Sequence, residues 1–128
     1  MRSRFLIIAG LLGFTGVLAG TVAAHVIQKH ITPDKLETFK TGVQYHLWHA
    51  LAVLGVAALA ASSGGRCSRC VSAAGWLFTL GVLLFSGSLY VYALSDVKVF
   101  AHVAPVGGTM LMIGWICLIV AGFAKRSE

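Results

Sequence analysis

In the stretch "VQYHLWHALAV", which begins at Val43, His46 and His49 stand three residues apart among mainly apolar and aromatic neighbours. On a helix that spacing turns two imidazoles to nearly the same face. With His25 or His102 they supply three nitrogen donors, a set suited to zinc or copper. Two rings on facing helices suit a haem iron instead. Because imidazole titrates near neutral pH, the same groups also suit proton transfer or a hydrogen bond to a quinone head group. The plainer alternative is that polar aromatic side chains gather at membrane interfaces and that imidazoles tie helices together. Taken singly, most of the histidines (His25, His30, His46, His49 and His102) fit that alternative. His49 is the strongest functional candidate, because it lies farthest from a predicted helix end, where an unpaired ring is costly.

Other reactive residues give weaker signals. Cys67 and Cys70 form a CxxC, which without a second pair is half a metal site. On the predicted cytoplasmic side a permanent disulfide is not expected, so they are read as two loop thiols. Cys117 falls deep in an apolar run and behaves as a small apolar residue. There is no GxSxG, phosphate loop or HExxH zinc motif, and the expected role is non-enzymatic, with no cofactor and no metal assigned.

The elements that must position these residues are legible. Of 128 residues, 58% are hydrophobic and 11% charged, a balance that points to a membrane protein. Apolar runs at about 5–25, 43–62, 72–95 and 103–124 are each long enough to cross a hydrocarbon core of about 30 Å as a helix. None contains Asp, Glu, Lys or Arg. That excludes small exporters that couple transport to protons through a membrane-embedded Glu. The predicted fold is an all-α integral membrane protein: a bundle of four transmembrane helices in one domain, 1–128, with a short amphipathic outer helix between spans one and two. That outer helix would start after Thr32 as N-cap, with Pro33, Asp34 and Glu37 in or near its first turn, and Gly42 as the bend into span two. The apolar stretch of span one is longer than the hydrophobic region of a cleavable signal peptide, so it is read as a retained helix.

A net charge of +6 does not mark a nucleic-acid binder, since the basic residues lie between apolar runs and form no stripe with stacking aromatics. With the N-terminus inside, Arg2, Arg4, Arg66, Arg69, Lys125 and Arg126 are cytoplasmic, against Lys29, Lys35, Lys40 and Lys98 outside. Both termini are therefore expected in the cytoplasm. The same topology puts every histidine toward the outer face, where His25, Tyr45, His46, His49, Ser86, Ser88, Tyr90 and His102 make a candidate polar pocket. Glycines form the other pattern: Gly10, Gly13, Gly16 and Gly20 recur along span one, and Gly87, Gly107 and Gly108 lie in spans three and four. Small residues let helices approach closely, so these are expected to be packing positions, within the bundle or between copies. Pro105 is placed in the first turn of span four.

Four segments, "GTVAAH", "TGVQYHLWHAL", "LFSGSLYVYAL" and "PVGGTMLMIGW", together resemble the YgdD/YwdK-like family of small bacterial inner-membrane proteins, a family of unknown function. The family more often has Gly-Ala-Phe-Gly-Ala-His where this chain has "GTVAAH". The resemblance implies the fold and the bacterial inner membrane, and it supplies no activity to carry over. It also implies that His25, Tyr45, His49, Ser86, Gly87, Ser88, Tyr90, Pro105, Gly107, Gly108 and Trp115 belong to one constellation in the outer half of the bundle. The expected role is an accessory or scaffold subunit that packs against lipid and against itself or a larger membrane complex. The alternatives are a protein that binds a ligand, metal or haem in an outer His/Tyr pocket, and a small channel or transporter using Ser86 to Ser88.

Overall fold

The computed structural model describes residues 3–62 and 67–124. Its elements are α1 (Arg4–His25), a single 3₁₀ turn (Ile27–Lys29), α2 (Pro33–Ala61), α3 (Ser68–Ser95) and α4 (Val99–Phe123). All four α-helices are long and apolar enough to cross a membrane, and there is no strand among the described residues.

Local chemistry sets the ends. The Ser3 hydroxyl accepts the Leu6 N–H and caps α1. Pro33 occupies the first turn of α2, where its missing N–H costs nothing, and Asp34 meets the positive end of the helix. Thr32 stands at the N-cap position, but its side chain makes no capping bond. At the far end of α3, Asp96 takes the left-handed conformation (φ 60°), which a short polar side chain tolerates. Its carboxylate forms an ion pair with Lys35 of α2, so the chain reversal into α4 is tied to the helix beside it.

Three boundaries differ from the sequence reading. α2 begins at Pro33 and runs unbroken through Gly42, so the amphipathic stretch is the first part of the spanning helix and Gly42 makes no bend. At 29 residues α2 is about 43 Å long, enough to cross the bilayer and project beyond it. α4 begins at Val99, which places Pro105 inside the helix, past the first turn. Its ring faces outward, and helices in lipid accommodate the missing N–H by local adjustment. α3 begins at Ser68, so Cys70 is helical and Cys67 is the N-cap. These two are not loop thiols, because a disulfide joins them.

The helices pack in chain order. α1 lies on α2, α2 on α3 and α3 on α4, which leaves α1 and α4 on opposite flanks without extended contact. The main core draws Phe5 and Leu12 from α1, Val53 and Val56 from α2, Phe78 and Val82 from α3, and Leu111 from α4. A smaller core of Ala23, Ile27, Phe39 and Ala93 closes the end at which the 3₁₀ turn sits. Phe39 belongs to the amphipathic start of α2, so that stretch is held by burial. Large apolar side chains such as Leu11, Phe14 and Met112 point outward, as a lipid solvent permits.

The glycines divide by face. Gly16 abuts Leu47 and His46, and Gly20 is in contact range of Val43, so this pair seats α1 on α2. Gly107 is the tightest approach between α3 and α4, against the Phe85 amide and the Gly81 carbonyl, and Gly108 is in ordinary contact range of Phe85. Gly10, Gly13 and Gly87 face open space, so the packing expected of them is not made within this chain.

Candidate functional site

The two histidines of α2 sit deep in the bundle because the helix starts early. From Pro33 to His46 is about 20 Å along the axis, close to the middle of α2. The aromatic partner of His49 on α3, Phe78, likewise lies about 15 Å from the Ser68 end of a helix about 42 Å long. The sequence reading put both rings near the outer entry of span two, and the structure corrects this to mid-depth. Both are buried, with 8% of His46 and 5% of His49 exposed. Polar groups at that depth must be paired by the protein.

His49 is fully engaged. The Trp115 indole N–H of α4 donates to its Nε2 at 3.0 Å. Indole nitrogen is a donor only, so Nε2 must carry the lone pair and Nδ1 the proton. Nδ1–H then donates to the Tyr45 carbonyl at 2.8 Å, one turn back along α2. The pair requires the neutral ring, since a second proton would set two N–H groups against each other. Phe78 packs against both the imidazole and the Trp115 ring, and Tyr45 stacks on the other side.

His46 bridges in the opposite direction. Its Nε2 lies 3.1 Å from the Thr15 hydroxyl of α1, and its Nδ1 lies 2.8 Å from the Tyr90 hydroxyl of α3. Both partners are hydroxyls, which donate or accept, so either neutral tautomer of His46 is paired at both nitrogens, whereas Trp115 fixes the tautomer of His49. One turn toward the start of α2, Ser86 donates to the Gly42 carbonyl at 2.7 Å with 1% of the residue exposed. Glycine is needed there because a Cβ would come within 2.7 Å of the Tyr90 ring.

The belt therefore joins α2 to each of the other three helices: Thr15 of α1, Tyr90 and Ser86 of α3, and Trp115 of α4. Of the predicted pocket, it brings together Tyr45, His46, His49, Ser86 and Tyr90. Ser88 is buried on α3, whereas His25 and His102 are exposed and stand apart from the belt. A pocket shared by His25 and His49 is not formed, because α1 ends at His25 while His49 lies at mid-depth. Among the described residues no group of three or more His, Cys, Asp or Glu side chains is placed to hold a metal ion together. Sequence reasoning missed Thr15 and the Gly42 carbonyl. A lone hydroxyl at mid-span was the signal for the first, and a backbone acceptor carries no signal at all.

Outside the spans, the Asp96 carboxyl is held below the usual carboxylate range by its hydrogen bond to, and the charge of, the Lys35 ammonium. Lys35 also lies over the Tyr92 ring, 3.5 Å from its centroid.

Comparison with known proteins places these features in a family context. The family model described as "Protein of unknown function (DUF423)" matches residues 19–108, which include both histidines, Ser86 and Tyr90. The chain is 38% identical to the UPF0382 membrane protein YwdK of Bacillus subtilis, over 91% of this chain and 94% of that protein. It is 38% identical to a UPF0382 membrane protein of Haemophilus influenzae over 99% of both chains. With the UPF0382 inner membrane protein YgdD of Escherichia coli K12 it shares 39% identity over 100% of this chain and 96% of that one. No solved structure matches.

Proposed function

This chain belongs to the DUF423 family of membrane proteins, a family of unknown function, and from that premise we propose that it is a non-enzymatic accessory or scaffold subunit of the bacterial inner membrane. The observation that carries the proposal is the engagement of the belt: both nitrogens of each buried imidazole are bonded to the chain's own groups. The polar interior is thereby spent on joining four helices, with no lone pair left for a haem iron or a metal. What the fold offers outward is apolar. A groove of roughly 260 Å³ runs between α1 and α2, lined by Leu6, Ala9, Gly10, Gly13, Ala50, Leu51 and Leu54. Gly10 and Gly13 leave it shallow enough for a second helix to approach, and α1 has no α4 on its other side to compete. A second copy of this chain is the occupant that this reading assigns. Both termini lie in the cytoplasm, supported by the arginines and lysines of the ends and of the α2–α3 connection.

Purification in mild detergent without a histidine tag tests this directly. Native mass spectrometry is expected to give more than one chain, with no stoichiometric metal and no visible absorbance. A Gly10→Cys chain is expected to form a disulfide-linked dimer in membranes. Stoichiometric metal or haem that is lost in His49→Ala would replace the proposal with the ligand-binding alternative. A strict monomer with no Gly10→Cys cross-link would remove the self-association.

A further inference from the structure

The first turn of α3 holds chemistry that the polar belt does not use. Cys67 and Cys70 are joined by a disulfide, with Cα atoms 5.2 Å apart. Cys67 is the N-cap residue, and its Sγ accepts the backbone N–H of Cys70 at 3.1 Å. As a staple this bond does little, since a cross-link between residues so near in sequence removes little freedom from the unfolded chain. The start of α3 is already held by burial of Val71, Ala74 and Phe78. What the position does provide is a place for negative charge on sulfur. A helix N-terminus, a backbone N–H aimed at Sγ and the CxxC spacing each stabilise a thiolate. Arg69, next to Cys70 in the first turn of α3, adds to that field. Both cysteines are half-buried while Ser68 and Arg69 between them are exposed, so a reagent can reach the sulfurs from the membrane surface.

We propose that Cys67 and Cys70 are a redox-active dithiol/disulfide site that exchanges with an external thiol–disulfide couple, Cys67 being the exchanging sulfur and Cys70 the resolving one. In the reduced chain the Cys67 thiolate attacks one sulfur of the partner disulfide. A Cys67–partner mixed disulfide forms, and the partner's second sulfur leaves as a thiolate, which takes a proton from water. Cys70 then gives its proton to solvent and attacks Cys67 Sγ. This closes the Cys67–Cys70 bond and releases the partner's remaining sulfur as a thiolate. Two electrons pass from the chain to the partner, and a dithiol returns them by the reverse sequence. The inference holds on either face of the membrane and does not depend on the oligomer.

The test uses the full chain in detergent micelles, reduced with dithiothreitol, freed of reductant and pulsed with iodoacetamide at pH 7. Alkylation of the Cys67, Cys70 and Cys117 peptides is then read by mass spectrometry. Cys67 is expected to react about tenfold faster than Cys70, the ratio that one unit of thiolate stabilisation produces. Oxidised glutathione is expected to restore the disulfide in the unalkylated chain. In a Cys117→Ala background, Cys70→Ser is expected to trap one equivalent of mixed disulfide with a small disulfide probe, and Cys67→Ser much less. Equal alkylation of Cys67 and Cys70, failure of the reduced pair to close, or equal trapping by the two serine variants would each overturn the assignment.

Discussion

Replacing Gly107 by alanine asks how closely α3 and α4 are fitted. A Cβ built at this position lies 2.8 Å from the Gly81 carbonyl oxygen and 2.9 Å from Leu84 Cβ, and closer still to the Phe85 amide nitrogen. The oxygen and the nitrogen are backbone, so no rotamer change relieves them. An ordinary carbon to oxygen contact is about 3.3–3.6 Å, so the helices must part by at least about 0.6 Å at this point. A gap of that size forfeits about a quarter to a half of each dispersion contact across the seam. Over about 20 atom pairs at about 0.15 kcal/mol each, the loss is about 1 kcal/mol. Residual overlap adds the usual overpacking cost, for a total of about 2–3 kcal/mol. The assay is equilibrium unfolding in mixed micelles, raising the fraction of denaturing detergent and following helical circular dichroism. Gly87→Ala is the control: a glycine of the neighbouring helix α3 that faces open space, expected within about 0.5 kcal/mol of wild type or slightly stabilised by helix propensity. If Gly107→Ala also stays within about 0.5 kcal/mol of wild type, the tight seam is refuted.

Two further outcomes are expected. A double-mutant cycle with Trp115→Phe and His49→Leu should give a coupling of about 0.6–1.7 kcal/mol in the same assay, the range for hydrogen bonds between membrane helices; zero coupling would mean that the bond is not made. For Asp96, a carboxyl whose folded pKa is depressed adds stability that is fully present above its unfolded value and disappears as pH falls through the folded one. Wild type should therefore exceed Asp96→Asn in stability at about pH 6, by a small margin because 71% of the Asp96 side chain is exposed, and that margin should shrink as pH falls below the ordinary carboxylate range of about 3.9. A difference that does not change over that range would remove the ion pair from the account.

How far the candidate site was legible can be judged residue by residue. That His49 needed a partner followed from burial cost alone, and the partner exists. Which group it was did not follow, because Trp115 is 66 residues away and only the packing of α4 across α3 brings its N–H to Nε2. His46 and His49 looked like one paired site from their spacing. On a helix three residues still subtend enough angle for one ring to address α1 and α3 and the other α4. Gly42, marked as a bend, proved to be a carbonyl that accepts from the Ser86 hydroxyl and a space filled by Tyr90. The depth of the belt was misjudged for one reason: the apolar run of span two starts at Val43, whereas the helix starts ten residues earlier at Pro33.

The sequence by itself determined that the chain crosses a membrane four times. Lipid cannot hydrogen-bond a backbone, so an apolar run of about 20 residues has helix as its one economical solution, whatever surrounds it. The helix start at Pro33 and the exclusion of charge from the apolar runs follow from equally local chemistry. The tertiary structure decided everything that depends on which faces meet. It set Gly16 and Gly20 against α2 while leaving Gly10 and Gly13 open, and it gave two buried histidines their partners on three other helices. It also separated His25 and His102 from the ring cluster they had been grouped with. Those outcomes rest on helix rotation and depth, and in a chain whose spans are apolar on every side, the sequence pattern carries little record of either.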